Sequence, residues 1–206
     1  GGDVSGWAAT APMADFIHGG AAVQVSAGLI HFIGGSNGGV RPETHIFDIT
    51  TETWSTGSPL LSAMAEMPAA FSNTGEIWIF GGADGTTAID TIQICVGTCV
   101  TGTGPWAASG ELLTNVRERS TASTIGGSIY VMGGCTTCFV AAGDVDEVVP
   151  SGPSITPLAN MPLARVEHTA QQVGGFIYII GGYDGANYLD GVDRYDPAGS
   201  TWSARA

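Results

Sequence analysis

The chain has 206 residues, with 6 Lys+Arg against 19 Asp+Glu, a net charge of −13 and no lysine at all. Six scattered arginines cannot build the cationic face that a phosphate backbone or an anionic bilayer requires, which excludes nucleic acid and acidic membrane surfaces as partners. Glycine fills 32 positions and charged residues only 12%, yet 44% of the chain is hydrophobic, which separates it from disordered low-complexity sequence. No apolar run reaches the length of a membrane span, so membrane insertion is not expected. GGDVSGW at the N-terminus lacks the basic and apolar regions of a secretory signal, so any export signal has been removed from this numbering.

In chain order, the glycines recur in register with apolar strands. The first octamer, GLIHFIGG, ends in Gly34-Gly35 and is followed by a strand THIFDI (44–49) and by Trp54. GEIWIFGG ends in Gly81-Gly82 and leads to DTIQIC (90–95) and Trp106. GSIYVMGG ends in Gly133-Gly134, after which Ile155 stands near the place of the expected Trp. A strand TAQQV (169–173), the octamer GFIYIIGG ending in Gly181-Gly182, the strand GVDRYD (191–196) and Trp202 complete the series. The first glycines of the pairs are spaced by 47, 52 and 48 residues, and Trp7, Trp54, Trp106 and Trp202 keep the same register. The units therefore run approximately 7–53, 54–105, 106–154 and 155–202.

One unit reads as a four-stranded antiparallel blade. The octamer is apolar on both alternating faces, with Ile129 and Val131 on one and Tyr130 and Met132 on the other, so it must be covered from both sides. Gly174-Gly175 supplies the hairpin between strands one and two. The fourth strand begins at the Trp, whose indole needs a pocket between neighbouring sheets, and the closing glycines allow close backbone approach. Helical periodicity is nowhere sustained.

The Gly-Gly pair after an apolar strand, Tyr195-Asp196-Pro197, the Trp seven residues after that Tyr, and the Arg165–His168 stretch together resemble kelch repeats over essentially the whole chain. The period is close to the kelch value of about 50 residues. Cys95 and Val149 depart from the pattern where a Tyr is expected. The resemblance implies an all-β, kelch-type β-propeller of four four-stranded antiparallel blades. Such propellers are usually closed rings of about five to seven blades. Here Trp7 opens the chain and Trp202 ends it, giving five fourth-strand positions for four Gly-Gly strands. This surplus points to an incomplete ring completed by the rest of a larger propeller or by another subunit, a self-closed four-bladed ring being the alternative.

The four cysteines form two close pairs, Cys95/Cys99 and Cys135/Cys138. The first lies at a turn between strands three and four and the second between strands two and three, at opposite ends of the strands. A shared four-Cys metal site is thereby disfavoured, and two local disulfides are expected. They imply an extracellular or lumenal location, the cytoplasm being the alternative with free thiols.

Loop residues carry what partner-binding signal the sequence holds. Asp84-Gly85 and Asp184-Gly185 occupy identical offsets after their Gly-Gly pairs, and are read either as ligand contacts or as residues that form the turn. Tyr183, Asp184 and Asn187 lie in the last of these loops. Arg41, Arg117 and Arg165 fall on loops entering strand one or joining strands two and three, where Arg suits a carboxylate ligand. Arg119 lies in the same loop as Arg117, and Glu118 and Glu167 are near enough in sequence to pair with these arginines. His18, His31, His45 and His168 share no metal-ligand spacing; His31 takes the place of a packing aromatic. No nucleophile elbow, Cys–His frame or paired carboxylates appear, so no catalytic residue, metal or cofactor is assigned. The resulting expectation is a non-catalytic interaction or structural module presenting its loops to a protein or glycan partner. The alternative is a fragment of a secreted kelch-propeller enzyme, such as a copper-radical carbohydrate oxidase or a sugar isomerase.

Overall fold

A computed structural model of the chain describes residues 10–137 and 140–205, so Trp7 and Cys138 lie outside the described residues. Four four-stranded antiparallel sheets follow one another along the chain. Blade 1 comprises β1 (Ala21–Gln24), β2 (Leu29–Ile33), β3 (Thr44–Asp48) and β4 (Thr53–Thr56). Blade 2 comprises β5 (Ala69–Phe71), β6 (Ile77–Phe80), β7 (Thr91–Cys95) and β8 (Trp106–Leu112). Blade 3 comprises β9 (Thr121–Ile125), β10 (Ser128–Met132), β13 (Val145–Val149) and β14 (Ser154–Pro157), with a two-stranded ribbon of β11 (Cys135–Thr137) and β12 (Val140–Ala141) inserted between its second and third strands. Blade 4 comprises β15 (Thr169–Val173), β16 (Phe176–Ile180), β17 (Val192–Asp196) and β18 (Thr201–Arg205). Among the described residues the only helical element is a 3-10 turn at Cys99–Thr101.

Each octamer is the second strand of its blade, and its two faces serve two different cores. Ile129 and Val131 join Trp78, Phe80, Ile92 and Ile94 between blades 2 and 3. Tyr130 and Met132 join Ile177, Ile179 and Tyr195 between blades 3 and 4. Ile33, Ile77 and Ile79 meet between blades 1 and 2. A fully buried aliphatic side chain contributes about 1.5–3 kcal/mol, so these interlayers hold the stack together. The first strands pack in the order β1, β5, β9, β15, which places strand one of each blade innermost.

The two outermost faces differ from the interlayers. Ile30 and Phe32 stand at the octamer positions that are fully buried as Ile77 and Ile79 or as Ile177 and Ile179, but remain half-exposed. At the other end Tyr178 is half-exposed and Ile180 is 43% exposed, although their counterparts Trp78, Phe80, Tyr130 and Met132 are buried. Arg194 covers part of that face, its guanidinium 4.1 Å from the Phe176 ring centre.

The tryptophans act as latches between blades. Trp54 Nε1 donates to the Ala11 carbonyl at 2.9 Å, Trp106 Nε1 to Ser58 at 3.1 Å and Trp202 Nε1 to Ala159 at 3.3 Å. Ser58 and Ala159 lie on segments running from the preceding strand four toward the next strand one, and Ala11 lies on the segment leading to β1. In blade 3 Ile155 packs at the latch position without a donor.

Candidate functional site

The segments joining strand four of one blade to strand one of the next, and the loops joining strands two and three, meet on one face of the stack. The paired glycines explain how. A Cβ on Gly34, Gly81 or Gly133 would lie 2.5–2.7 Å from the carbonyl of Met64, Arg117 or Arg165, each on the segment leading to the following blade. A Cβ on Gly35, Gly82, Gly134 or Gly182 would lie 2.5–2.8 Å from the carbonyl of His18, Ala65, Glu118 or Val166, on the segment before its own blade. Each pair is therefore a slot gripped by two successive segments, and all eight glycines have φ between 56° and 104°. Gly181 is the exception in its surroundings: a Cβ there would meet only the Leu189 carbonyl, at 3.3 Å.

The same segments carry buried arginines. Arg117 is fixed by its backbone to blade 2, accepting from Gly82 N and donating to Ile89 O. Its fully buried guanidinium enters blade 3, pairing with Asp146 and donating to the Asp144 carbonyl at 3.1 Å. Burial lowers its pKa to about 10, against the raising influence of Asp144. Arg165 repeats the arrangement one blade later: its backbone is tied to Ala142 and Gly134, and its side chain to Asp193 and the Gly181 carbonyl. In blade 2 the equivalent pair is Met64 and Gln93, whose Nε2 lies 3.5 Å from the Met64 sulfur. These findings correct the reading of Arg117 and Arg165 as partner-facing loop residues. Both point into the next blade, where an aspartate on strand three balances a guanidinium that the stack has removed from water. Of the glutamates expected as local partners of the loop arginines, Glu167 pairs with Arg119.

Glu66, Arg119 and Glu167 occupy the same repeat position, all with φ of 55–57°, and Gly19 holds that position in blade 1 with φ 64°. Arg119 N donates to Glu66 O and Glu66 N to Gly19 O, both at 2.6 Å, forming a backbone ladder from blade to blade. Arg119 Nη1 reaches Glu167 at 2.9 Å and its Nε lies 3.6 Å from Glu66. Glu66 also lines a cleft of about 620 Å³. Its lining comes from blades 1 to 3: His18, Ala65, Glu66, Val116 and Glu118 from the segments before strand one, and Ser36, Val40, Thr86, Thr87, Thr136 and Thr137 from the loops after strand two. The lining combines the aliphatic side chains of Val40 and Val116, threonine hydroxyls and the carboxylates of Glu66 and Glu118. Such a surface can bury an apolar face while hydrogen-bonding a polar rim.

The remaining loop residues are placed as follows. Asp84 Oδ1 accepts from Thr86 N, Thr86 Oγ1 and Thr87 N at 2.8, 2.6 and 2.9 Å, and these bonds, the Thr86 hydroxyl first, hold its carboxyl down at about pKa 2. Asp184 holds its turn likewise through Asn187 N and Ala186 N at 2.6 and 2.7 Å, the Asn187 bond first, which lower its pKa. Both aspartates close a turn whose glycine has positive φ. Arg41 pairs locally with Glu43 at 3.1 Å. Tyr183 forms a ring pair with Tyr188, centres 5.3 Å apart, and Tyr188 is 90% exposed. Sequence reasoning passed over Tyr188; its signal is the bridge position shared with Val40 and Ala88, where only this loop carries an aromatic. His31 is buried, as a packing residue would be, and burial lowers its pKa. His168, buried before β15, bonds Thr121 Oγ1 at 3.0 Å through Nε2, and burial followed by the nearby Arg165 charge lowers its pKa to about 4. Cys95 and Cys99 are joined in a disulfide. Among the described residues no group of three or more His, Cys, Asp or Glu side chains could hold a metal ion, and no helix is long and apolar enough to cross a membrane.

This assembly of stacked four-stranded blades is a β-propeller architecture. Residues 164–206 match the Kelch motif, and the chain has the fold of a kelch-type propeller. The solved structure of YjhT superposes with a TM-score of 0.78 at 13% sequence identity, over 92% of this chain and 65% of that one. The chain thus spans less than two thirds of the length of the structure it matches. No curated protein matches it in sequence.

Proposed function

We propose that the chain is a recognition module that presents its loop face to a protein or glycan partner in an extracellular or lumenal setting. The observation that carries this reading is the cleft itself, built by loops of three successive blades that the glycine slots and buried Arg–Asp pairs hold in fixed relation. Rigid placement of aliphatic side chains beside threonine hydroxyls favours a ligand with both an apolar face and hydrogen-bonding groups. Tyr188 adds an exposed ring beside the same face, suited to stacking on a sugar or to anchoring in a protein pocket. The Cys95–Cys99 disulfide supports the compartment. The test is binding to an immobilised panel of glycans and secreted proteins by the wild-type chain and by Thr87→Trp, which fills the cleft. Specific binding lost in the variant supports the reading; binding that persists undiminished in the variant overturns it.

The outermost faces support a second class of partner, further blades that complete the ring. The half-exposed Ile30 and Phe32, the exposed Ile180 and the slot of Gly181 with no second segment in it are the two halves of the interlayer that occurs three times within the chain. Glu167, 59% exposed at the rim where Arg119 sits between two carboxylates, favours a basic residue at the matching position of the blade that follows.

A further inference from the structure

The link between strands three and four is four residues long in blades 1, 3 and 4, but ten residues, 96–105, in blade 2. In blades 1 and 4 an aspartate at the start of the turn, Asp48 or Asp196, accepts the turn's backbone N–H groups. Blade 2 has no such residue, and its link is closed by the Cys95–Cys99 disulfide and the 3-10 turn that follows.

This longer link lies against blade 1. A Cβ on Gly102 would fall 1.9 Å from Ile46 Cδ1 and 3.4 Å from His31 Cε1, and Ser58 N donates to the Gly102 carbonyl at 2.8 Å. Ser58 also accepts from Trp106 at the end of the link. Both cysteines belong to the core shared by blades 1 and 2, with Val100 packed against it. The seat exists because of a residue change on blade 1. His31 stands where the other octamers carry Trp78, Tyr130 and Tyr178, and a smaller ring leaves room that the link fills. Insertion and substitution are thus two sides of one fit.

We propose that the Cys95–Cys99 link is a redox-dependent clasp that couples blade 1 to the rest of the stack, seated when oxidised and released on reduction. The reductant is a dithiol. One of its thiolates attacks a sulfur of the Cys95–Cys99 bond to give a mixed disulfide, and its second thiolate displaces the protein thiol. Two electrons and two protons pass to the protein, which ends with two thiols while the reductant ends as a disulfide. Cys95 and Cys99 are 2% and 0% exposed, so attack requires the link to lift first.

Hydrogen exchange read by mass spectrometry on the wild-type chain, before and after dithiothreitol, tests this, with alkylation and peptide mapping to verify thiols at Cys95 and Cys99. Reduction is expected to speed exchange about tenfold or more in β2 and β3 while β15 to β17 hold theirs. Unchanged exchange in blade 1 with both thiols verified overturns the clasp, and so does an equal loss in all four blades. His31→Tyr keeps both cysteines and competes for the seat. It is expected to raise the rate of dithiol reduction of this bond by about tenfold, through more frequent lifting of the link. A reduction rate equal to that of wild type overturns the fit between His31 and the link.

Discussion

Asp146 receives the side chain of Arg117 from a segment whose backbone belongs to the preceding blade, and also accepts from Thr114 N and Oγ1 at 3.2 and 2.8 Å. The pair is buried on both sides, so removing one partner strands the other charge. Arg117→Met or Asp146→Asn is expected to cost about 3–5 kcal/mol, measured by urea denaturation. Arg117→Met with Asp146→Gln recreates the Met64–Gln93 pair of blade 2 and is expected to recover most of that loss. A double variant as unstable as the worse single one would show that the two positions do not act as a unit.

His168 sets a pH limit. Its pKa is about 4 in the fold and 6.5 in the unfolded chain, because burial and Arg165 oppose the charged ring. As pH falls through 6.5 the unfolded chain takes up the proton first. Stability therefore declines between pH 6.5 and about 4, by an amount on the order of 3 kcal/mol, and this contribution is flat below that. His168→Gln, which can still bond Thr121, is expected to have a shallower slope over this window. Thermal melts at half-unit steps of pH would reveal it, and parallel slopes would exclude His168 as the cause.

Two glycines with the same backbone conformation separate crowding from strain. Gly133 and Gly181 have φ of 63° and 65°, but a Cβ on Gly133 would strike the Arg165 carbonyl and His168 within 2.7 Å. Both Gly→Ala variants carry the backbone cost of about 1 kcal/mol, and Gly133→Ala is expected to lose at least about 1–3 kcal/mol more through overpacking. Equal losses in chemical denaturation would mean that the slot is not what makes Gly133 intolerant.

The outermost faces make the isolated chain prone to association. Sedimentation velocity is expected to show concentration-dependent oligomers, and Ile180→Asp to shift them toward monomer, because a charge there cannot be buried in an interlayer. A wild-type chain that sediments as a stable monomer at all concentrations would remove the main support for completion by further blades.

Much of this architecture was readable from alternation alone. The period of two placed Ile129 and Val131 opposite Tyr130 and Met132, and the fold puts these pairs in separate interlayers. TAQQV forms β15 with the same bounds, and the Gly-Gly pairs end the second strands. Arg117 was less legible, because its partner lies 29 residues away on a strand whose register only the folded blade fixes. The similar offset, 28 for Arg165 and Asp193, was the available clue. The rim formed by Glu66, Arg119 and Glu167 left no mark that composition could show, since positive φ at a charged residue is a property of the backbone path. The ten-residue link of blade 2 was visible as length, while its seat on His31 required three dimensions.

The glycine slots also bear on how the molecule comes apart. Except at Gly181, each slot is gripped by segments from its own blade's two borders, so a blade's cohesion depends on its immediate neighbours and on nothing farther away. Loss of order then spreads by adjacency: the fourth blade, whose Gly181 slot holds no second segment, opens before the other three. In such a chain a single melting temperature averages over a fraying front that starts at blade 4.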